Sequence, residues 1–334
     1  MRHFNLRHTL AIITVLLSIS LSAYAQSKGL APNAVARERK AKVYAQKEQW
    51  DKVIETLSSY TDVLTYNGLM DLATAYRNKG DFKNEIRTLD IAIAENPTNY
   101  VTYFLEGRAL KSDGQMEQAI IRFRKVLKMQ PKHEPSYQAI LDIFLEQKNN
   151  YESRNIVNDM INNLGEKPLY YSHLCHLFTL DAFLNQAEEN CKKAVKMAPD
   201  TEQNYIDLGR VQTDLQDIDA ARKTYSDAVK RFSRSEPVLW AAGDFFFKQK
   251  SYRTAARYLK KAISINTESA RSHLSLAQTT FALGQFDVAL KQFETACRGN
   301  KEASKLFRQA YGQLEADGNG TWARKFSERL YVCQ

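Results

Sequence analysis

The residues best suited to chemistry lie close together: His173, Cys175 and His176, with Cys191 a little further on. Imidazole nitrogens and thiolates are the ligands of zinc-type sites. His173 and His176, three apart, would share part of one helix face. None of the usual zinc spacings is matched, however. Cys175 and Cys191 also stand where the surrounding pattern calls for packing residues, and a free cysteine packs as a small hydrophobe. We therefore expect no metal and no cofactor. With Cys297 and Cys333 the chain has four cysteines, which allow three full pairings. Two bonds are candidates. Cys175–Cys191 would join the two helices of one hairpin. Cys297–Cys333 would pin the last helix to its neighbour. Distance is the obstacle in both cases, since a disulfide needs Cα atoms roughly 4.4–6.8 Å apart. No nucleophile motif or phosphate loop is present. The carboxylates are scattered as on solvated helix faces. The chain is not expected to be an enzyme.

Placing these residues requires the elements that carry them. The chain has 334 residues, 44% of them hydrophobic and 25% charged, with few Gly and Pro. That composition suits two ordinary domains or one extended array. Residues 1–25 read as a secretory signal peptide cleaved after Ala25. Arg2 and Arg7 open it, an apolar run covers Leu10 to Leu21, and Ala23-Tyr24-Ala25 closes it. The run is short of the roughly 20 apolar residues that span a bilayer. No stable membrane span is expected in the mature chain, which should be periplasmic or otherwise exported. The net charge of +9 falls to +7 without Arg2 and Arg7, a mild excess that points to no nucleic acid.

Residues 26–33 look like a flexible lead. From Ala34 the sequence is helical and repeats itself every 34 residues, from starting points at 66, 100, 134, 168, 202, 236, 270 and 304. Small residues recur on the first helix of each repeat: Ala73, Gly107, Cys175, Gly209, Gly243 and Ala277. Another small column lies early on the second helix, from Ala119 to Ala323. A column of larger residues follows it: Leu89, Phe123, Val157, Cys191, Tyr225, Leu259 and Phe293. Small residues let the two helices of a hairpin approach, and larger ones fill the gap to the next. No hairpin buries its faces alone, so neighbours must stack.

This resembles the tetratricopeptide repeat family, whose pattern is W-x2-L-G-x2-Y…A-x3-F…P. Clear copies are Tyr205-Ile-Asp-Leu208-Gly209 with Ala221 and Tyr225, and Leu239-Trp-Ala-Ala242-Gly243 with Phe246 and Ala255. The resemblance covers about 34–334. It implies an all-α fold, a right-handed α-solenoid of about nine helix–turn–helix repeats. Residues 34–65 would be an N-terminal capping repeat, 66–303 seven full repeats, and 304–334 a C-terminal capping repeat. Three departures stand out. Glu85 replaces a small residue. Leu141 replaces Gly or Ala in repeat 134–167, where a polar turn at 147–151 suggests a looser hairpin or a bend. Tyr311 occupies the small column of the last repeat.

In this family the first helices line the inner groove, and the resemblance sets two patches there. One is aromatic and aliphatic: Ile206, Trp240, Phe247, Leu274 and Phe281, with Arg210 and Asp244. The other is basic: Arg77, Arg108 and Lys111 beside Met70 and Phe104. Cytosolic chaperone-binding members grip a carboxylate with groove Lys and Asn. That set is absent here, because the first groove column has no Lys. The expected function is a periplasmic scaffold or adaptor that holds a peptide or protein partner for envelope machinery. The alternative is an anionic glycan or cell-wall polymer bound through the basic patch.

Overall fold

The computed structural model describes residues 32–298 and 300–333, and among them there are eighteen α-helices and no strand. The expected signal peptide and residues 26–31 of the lead lie outside the described residues. Pro32 and Asn33, expected in the lead, instead open the first helix. Proline suits a first turn, where its missing N–H has no partner to lose.

The helices pair into nine hairpins. The first is α1 (Pro32–Gln46) with α2 (Trp50–Leu57), followed by a 3-10 segment, Ser58–Val63. Next come α3 (Tyr66–Lys79) with α4 (Phe82–Glu95), α5 (Tyr100–Ser112) with α6 (Met116–Met129), and α7 (Glu134–Glu146) with α8 (Asn150–Leu164). The remaining five are α9 (Pro168–Leu180) with α10 (Leu184–Met197), α11 (Glu202–Asp214) with α12 (Ile218–Arg231), α13 (Glu236–Lys248) with α14 (Tyr252–Ile265), α15 (Ala270–Ala282) with α16 (Phe286–Ala296), and α17 (Lys301–Ala316) with α18 (Gly320–Arg329). A short 3-10 turn, Leu330–Cys333, follows.

The chain divides into two compact units between Leu164 and Gly165. Within each unit every helix packs on the next, and successive first helices also touch, as α11 does α13 and α13 does α15. Each unit is an all-α solenoid segment.

Two local devices recur. The turn inside each hairpin from the second onward places one residue in the left-handed region, at 34-residue intervals. It is Gly at 80, 114, 284 and 318, but Lys148, Ala182, Gln216 and Lys250 elsewhere. A left-handed L-residue costs about 1–2 kcal/mol, so stacking stabilises these turns against their own preference. The second device is the small-against-large contact. A Cβ added at Gly209 would sit 2.6 Å from the Tyr225 ring, and one at Gly107 2.7 Å from Phe123. Glycine is what lets those rings lie against the backbone.

The fourth hairpin keeps a regular turn, although its two helices touch less than those of the other full repeats. Its turn has the same length as its neighbours, with Lys148 left-handed, and Leu141 is fully buried with Val157. A large residue on the first helix is matched there by a smaller one on the second. In the last hairpin the corresponding positions are Tyr311 and Ser327, which line one surface concavity.

Two acids interrupt the apolar columns of the first unit. Glu85 is buried and receives Arg77 Nε at 2.8 Å. Glu106 stands where other hairpins carry Leu72, Ile140 or Leu174, and is 1% exposed. Arg122 Nε approaches Glu106 to 2.7 Å as an ion pair, without the alignment of a hydrogen bond. Asp90 competes for the same guanidinium at 3.4 Å. Burial raises the Glu106 carboxyl to about 7, against the pull of Arg122 and with help from Asp90.

Candidate binding cleft in the second unit

On α11, Ile206, Arg210, Thr213 and Asp214 follow helical spacing and share one face. On α13, Trp240, Asp244 and Lys248 occupy the same positions one repeat on from Ile206, Arg210 and Asp214. The two faces enclose a concavity of about 150 Å³. Tyr225 of α12 also lines it, together with Phe245; the two rings lie 5.0 Å apart. Burial pushes the Tyr225 phenol up, so it stays a neutral hydroxyl. Gly209 permits this arrangement by leaving room for the Tyr225 ring.

The charges of the cleft alternate. Arg210 and Asp214 line one wall, and Asp244 and Lys248 stand at the same register positions on the other. Arg210 leans on Asp207 at 3.6 Å, and Lys248 pairs with Asp244 at 2.9 Å. Burial raises the Asp207 carboxyl, against hydrogen bonding from Gln203 and the charge of Arg210. Asp214 is exposed and forms no ion pair among the described residues. The cleft thus offers donors and acceptors on both walls around an aromatic floor, with no net charge from its four ionised groups. Such a surface suits an extended peptide, whose backbone presents both kinds of group.

Four of the seven residues expected in the aromatic patch meet here: Ile206, Arg210, Trp240 and Asp244. The other three do not. Leu274 is 9% exposed, inside the core of the last two hairpins. Phe281 packs against that core, 5.3 Å from Phe286 and 6.0 Å from Phe326. Phe247 covers the Leu259–Leu276 cluster, its ring 5.6 Å from Tyr252. Their columns turn into the seam between hairpins, because at those positions the following hairpin offers apolar surface. Trp240 is itself partly engaged: its indole N–H donates to Ser275 Oγ at 3.0 Å, and the Arg271 guanidinium lies 4.7 Å above its ring. Arg271 in turn pairs with buried Glu236. Asp214, Tyr225 and Lys248 were missed. Asp214 and Lys248 lie one residue after Thr213 and Phe247, and the 34-residue register relates them to each other.

The basic patch of the first unit is largely neutralised. Arg77 is spent on Glu85, and Lys111 pairs with Glu146 at 3.0 Å. Arg108 is exposed. Phe104 lies 4.9 Å from His133 and 5.7 Å from Phe123, and Met70 packs against the Leu89 cluster. The expectation of a free cationic stretch is corrected accordingly: the neighbouring acids come from α4 and α7, which the groove columns alone did not include.

All four cysteines are bonded, Cys175 to Cys191 and Cys297 to Cys333, with Cα separations of 5.0 and 5.1 Å. The sulfurs beside His173 and His176 therefore have no thiolate to offer a metal. Among the described residues no group of three or more His, Cys, Asp or Glu is placed to hold one. No helix there is long and apolar enough to cross a membrane.

Two family profiles, each described as a tetratricopeptide repeat, match residues 100–133 and 206–273. Those two stretches match as tetratricopeptide repeats, and the other hairpins share their 34-residue register. The second match contains the cleft, so the tetratricopeptide register applies directly to α11 and α13. No curated protein matches the chain significantly. Solved structures similar to it include YrrB, described as a TPR protein with an unusual peptide-binding site, at 16% identity and TM-score 0.45. That match covers 55% of this chain and 95% of YrrB. A chain of the APC/C hetero-tetramer Cut9–Hcn1 is similar at 15% identity and TM-score 0.47, over 78% of this chain and 51% of the other. This chain therefore spans about half the length of that one.

Proposed function

We propose that this tetratricopeptide repeat chain is a non-catalytic protein-binding scaffold. In this reading it is exported to the periplasm and holds a peptide or protein partner of the envelope machinery in the α11–α13 cleft. The observation that carries the reading is the cleft itself. Tyr225 and Phe245 make a fixed aromatic floor, and Arg210, Asp214, Asp244 and Lys248 make walls of alternating charge. Packing within the hairpins does not require those four exposed or half-exposed groups, whereas recognition of a peptide uses them. Export is supported by the order of residues 1–25, and the envelope role by analogy with other exported arrays. Because Arg77 and Lys111 are paired, the glycan alternative keeps only Arg108 of its three cations.

A photocrosslinking residue at Thr213, in cells that make the protein, tests this. The expected result is a defined protein adduct that disappears with Arg210→Glu while helical content is unchanged. No adduct, or the same adducts from a crosslinker placed at Lys291 on α16, would overturn the cleft assignment.

A further inference from the structure

The last hairpin carries a second recognition surface. A concavity of about 700 Å³ opens between the end of α16 and the first half of α17. Lys301, Lys305 and Arg308 line it with Ser304, and the Cys297–Cys333 bond closes one side. Among the described residues no carboxylate lines it. None of the three cations forms an ion pair among the described residues, unlike Arg77, Lys111, Arg210 and Lys248. The three follow i, i+4, i+7 spacing and so lie on one face of α17.

Lys301, at the first position of α17, is unfavourably placed in the isolated protein. The start of a helix already carries positive potential, and anionic groups are the ones stabilised there. Here the side chain of Asn300 accepts from the N–H groups of Glu302 and Ala303. The cationic side chains beyond it have nothing comparable. The wall is also held firmly: Ser304 Oγ donates to the Cys333 carbonyl at 2.9 Å, beside the disulfide.

From this geometry we propose that the Lys301–Lys305–Arg308 face docks an extended acidic segment of a protein partner, with carboxylates at alternate residues. The spacing selects the class of partner. Residues four apart on a helix rise about 6 Å. Side chains on one face of an extended strand repeat at about 6.6 Å, twice the strand rise. An alternating acidic segment running along α17 therefore sets successive carboxylates opposite Lys301 and Lys305, and then near Arg308. An extended acidic segment has a separate carboxylate for each of the three groups, which a single small anion has not. This surface is separate from the α11–α13 cleft, so either reading can fail alone.

The test uses the full chain and a short peptide of alternating glutamate and serine, with binding followed by calorimetry. Binding should weaken steeply with added salt. It should weaken at least about tenfold in Lys305→Glu/Arg308→Glu, a loss of about 1.4 kcal/mol. Lys291→Glu, which removes the same kind of charge from exposed α16, should leave it within about twofold. Circular dichroism confirms that the exposed substitutions leave the fold intact. The proposal is overturned if the peptide does not bind, or if the double variant binds it as well as the parent does. Equal or tighter binding of inorganic phosphate or of a sulfated oligosaccharide at this face would overturn it too.

Discussion

Cys175 and Cys191 are bonded at the pair of positions where Gly209 and Tyr225 meet in the next hairpin. The same register joins Gly107 to Phe123 and Gly243 to Leu259. A covalent bond thus stands where these three hairpins rely on a side chain pressed against a glycine backbone. The hairpin that begins the second unit is stapled at its packing centre, and the hairpin that ends the unit is stapled by Cys297–Cys333. Terminal hairpins have a neighbour on one side only within their unit, so they gain most from a constraint on the unfolded chain.

Replacing Cys297 and Cys333 with Ser should lower stability by about 3–4 kcal/mol on the chain-entropy account of such a loop. Urea unfolding of the parent and the variant checks this. An unchanged midpoint under oxidising conditions would show that the bond adds nothing to the packing of Phe293, Phe307 and Phe326.

Gly209→Ala should destabilise by about 1–3 kcal/mol, because the added methyl must displace the Tyr225 ring from the cleft floor. Lys250→Gly should act in the opposite direction, by up to about 1–2 kcal/mol, since it relieves a left-handed turn residue. Thermal unfolding of the two single variants reads both signs.

Glu106 makes the first unit less stable as pH rises. Its folded carboxyl is raised from 4.5 to about 7, so between those values the folded chain holds a proton that the unfolded chain has released. Stability contributed by that proton is full below about pH 4.5 and is lost as pH climbs through about 7, by about 3 kcal/mol in all. Glu106→Gln should flatten this part of the pH profile and stabilise the protein at pH 8. A parent profile that rises across the same window would contradict the assignment.

Glu236 has the opposite sign. Burial pushes its carboxyl up, but hydrogen bonds from Arg271, Ser269 and Ser272 outweigh that and hold it below the ordinary range. Its contribution is present above the unfolded value of 4.5 and is lost as pH falls through the lower folded value. Glu236→Gln should cost about 1–3 kcal/mol at neutral pH. Tryptophan fluorescence should report it as well, because Arg271 would no longer be held over the Trp240 ring.

Much of the architecture was legible without coordinates. The 34-residue period, the small column through Gly107 and Gly209, and the large column through Phe123 and Tyr225 determine helical hairpins that must stack, because helix periodicity and side-chain volume are local properties of the chain. Charge and exposure were not legible in the same way. Arg77 looked available until Glu85 of the facing helix was placed 2.8 Å away. Leu274 and Phe281 looked like groove residues until the terminal hairpin covered them. Tyr225 looked like filler and proved to line the cleft. Each of these depends on which atom of another helix comes within a few ångströms. A repeat register gives the position of a residue on its own helix. Only the packing of the hairpins decides what faces it, and so which of its groups remain available to a partner.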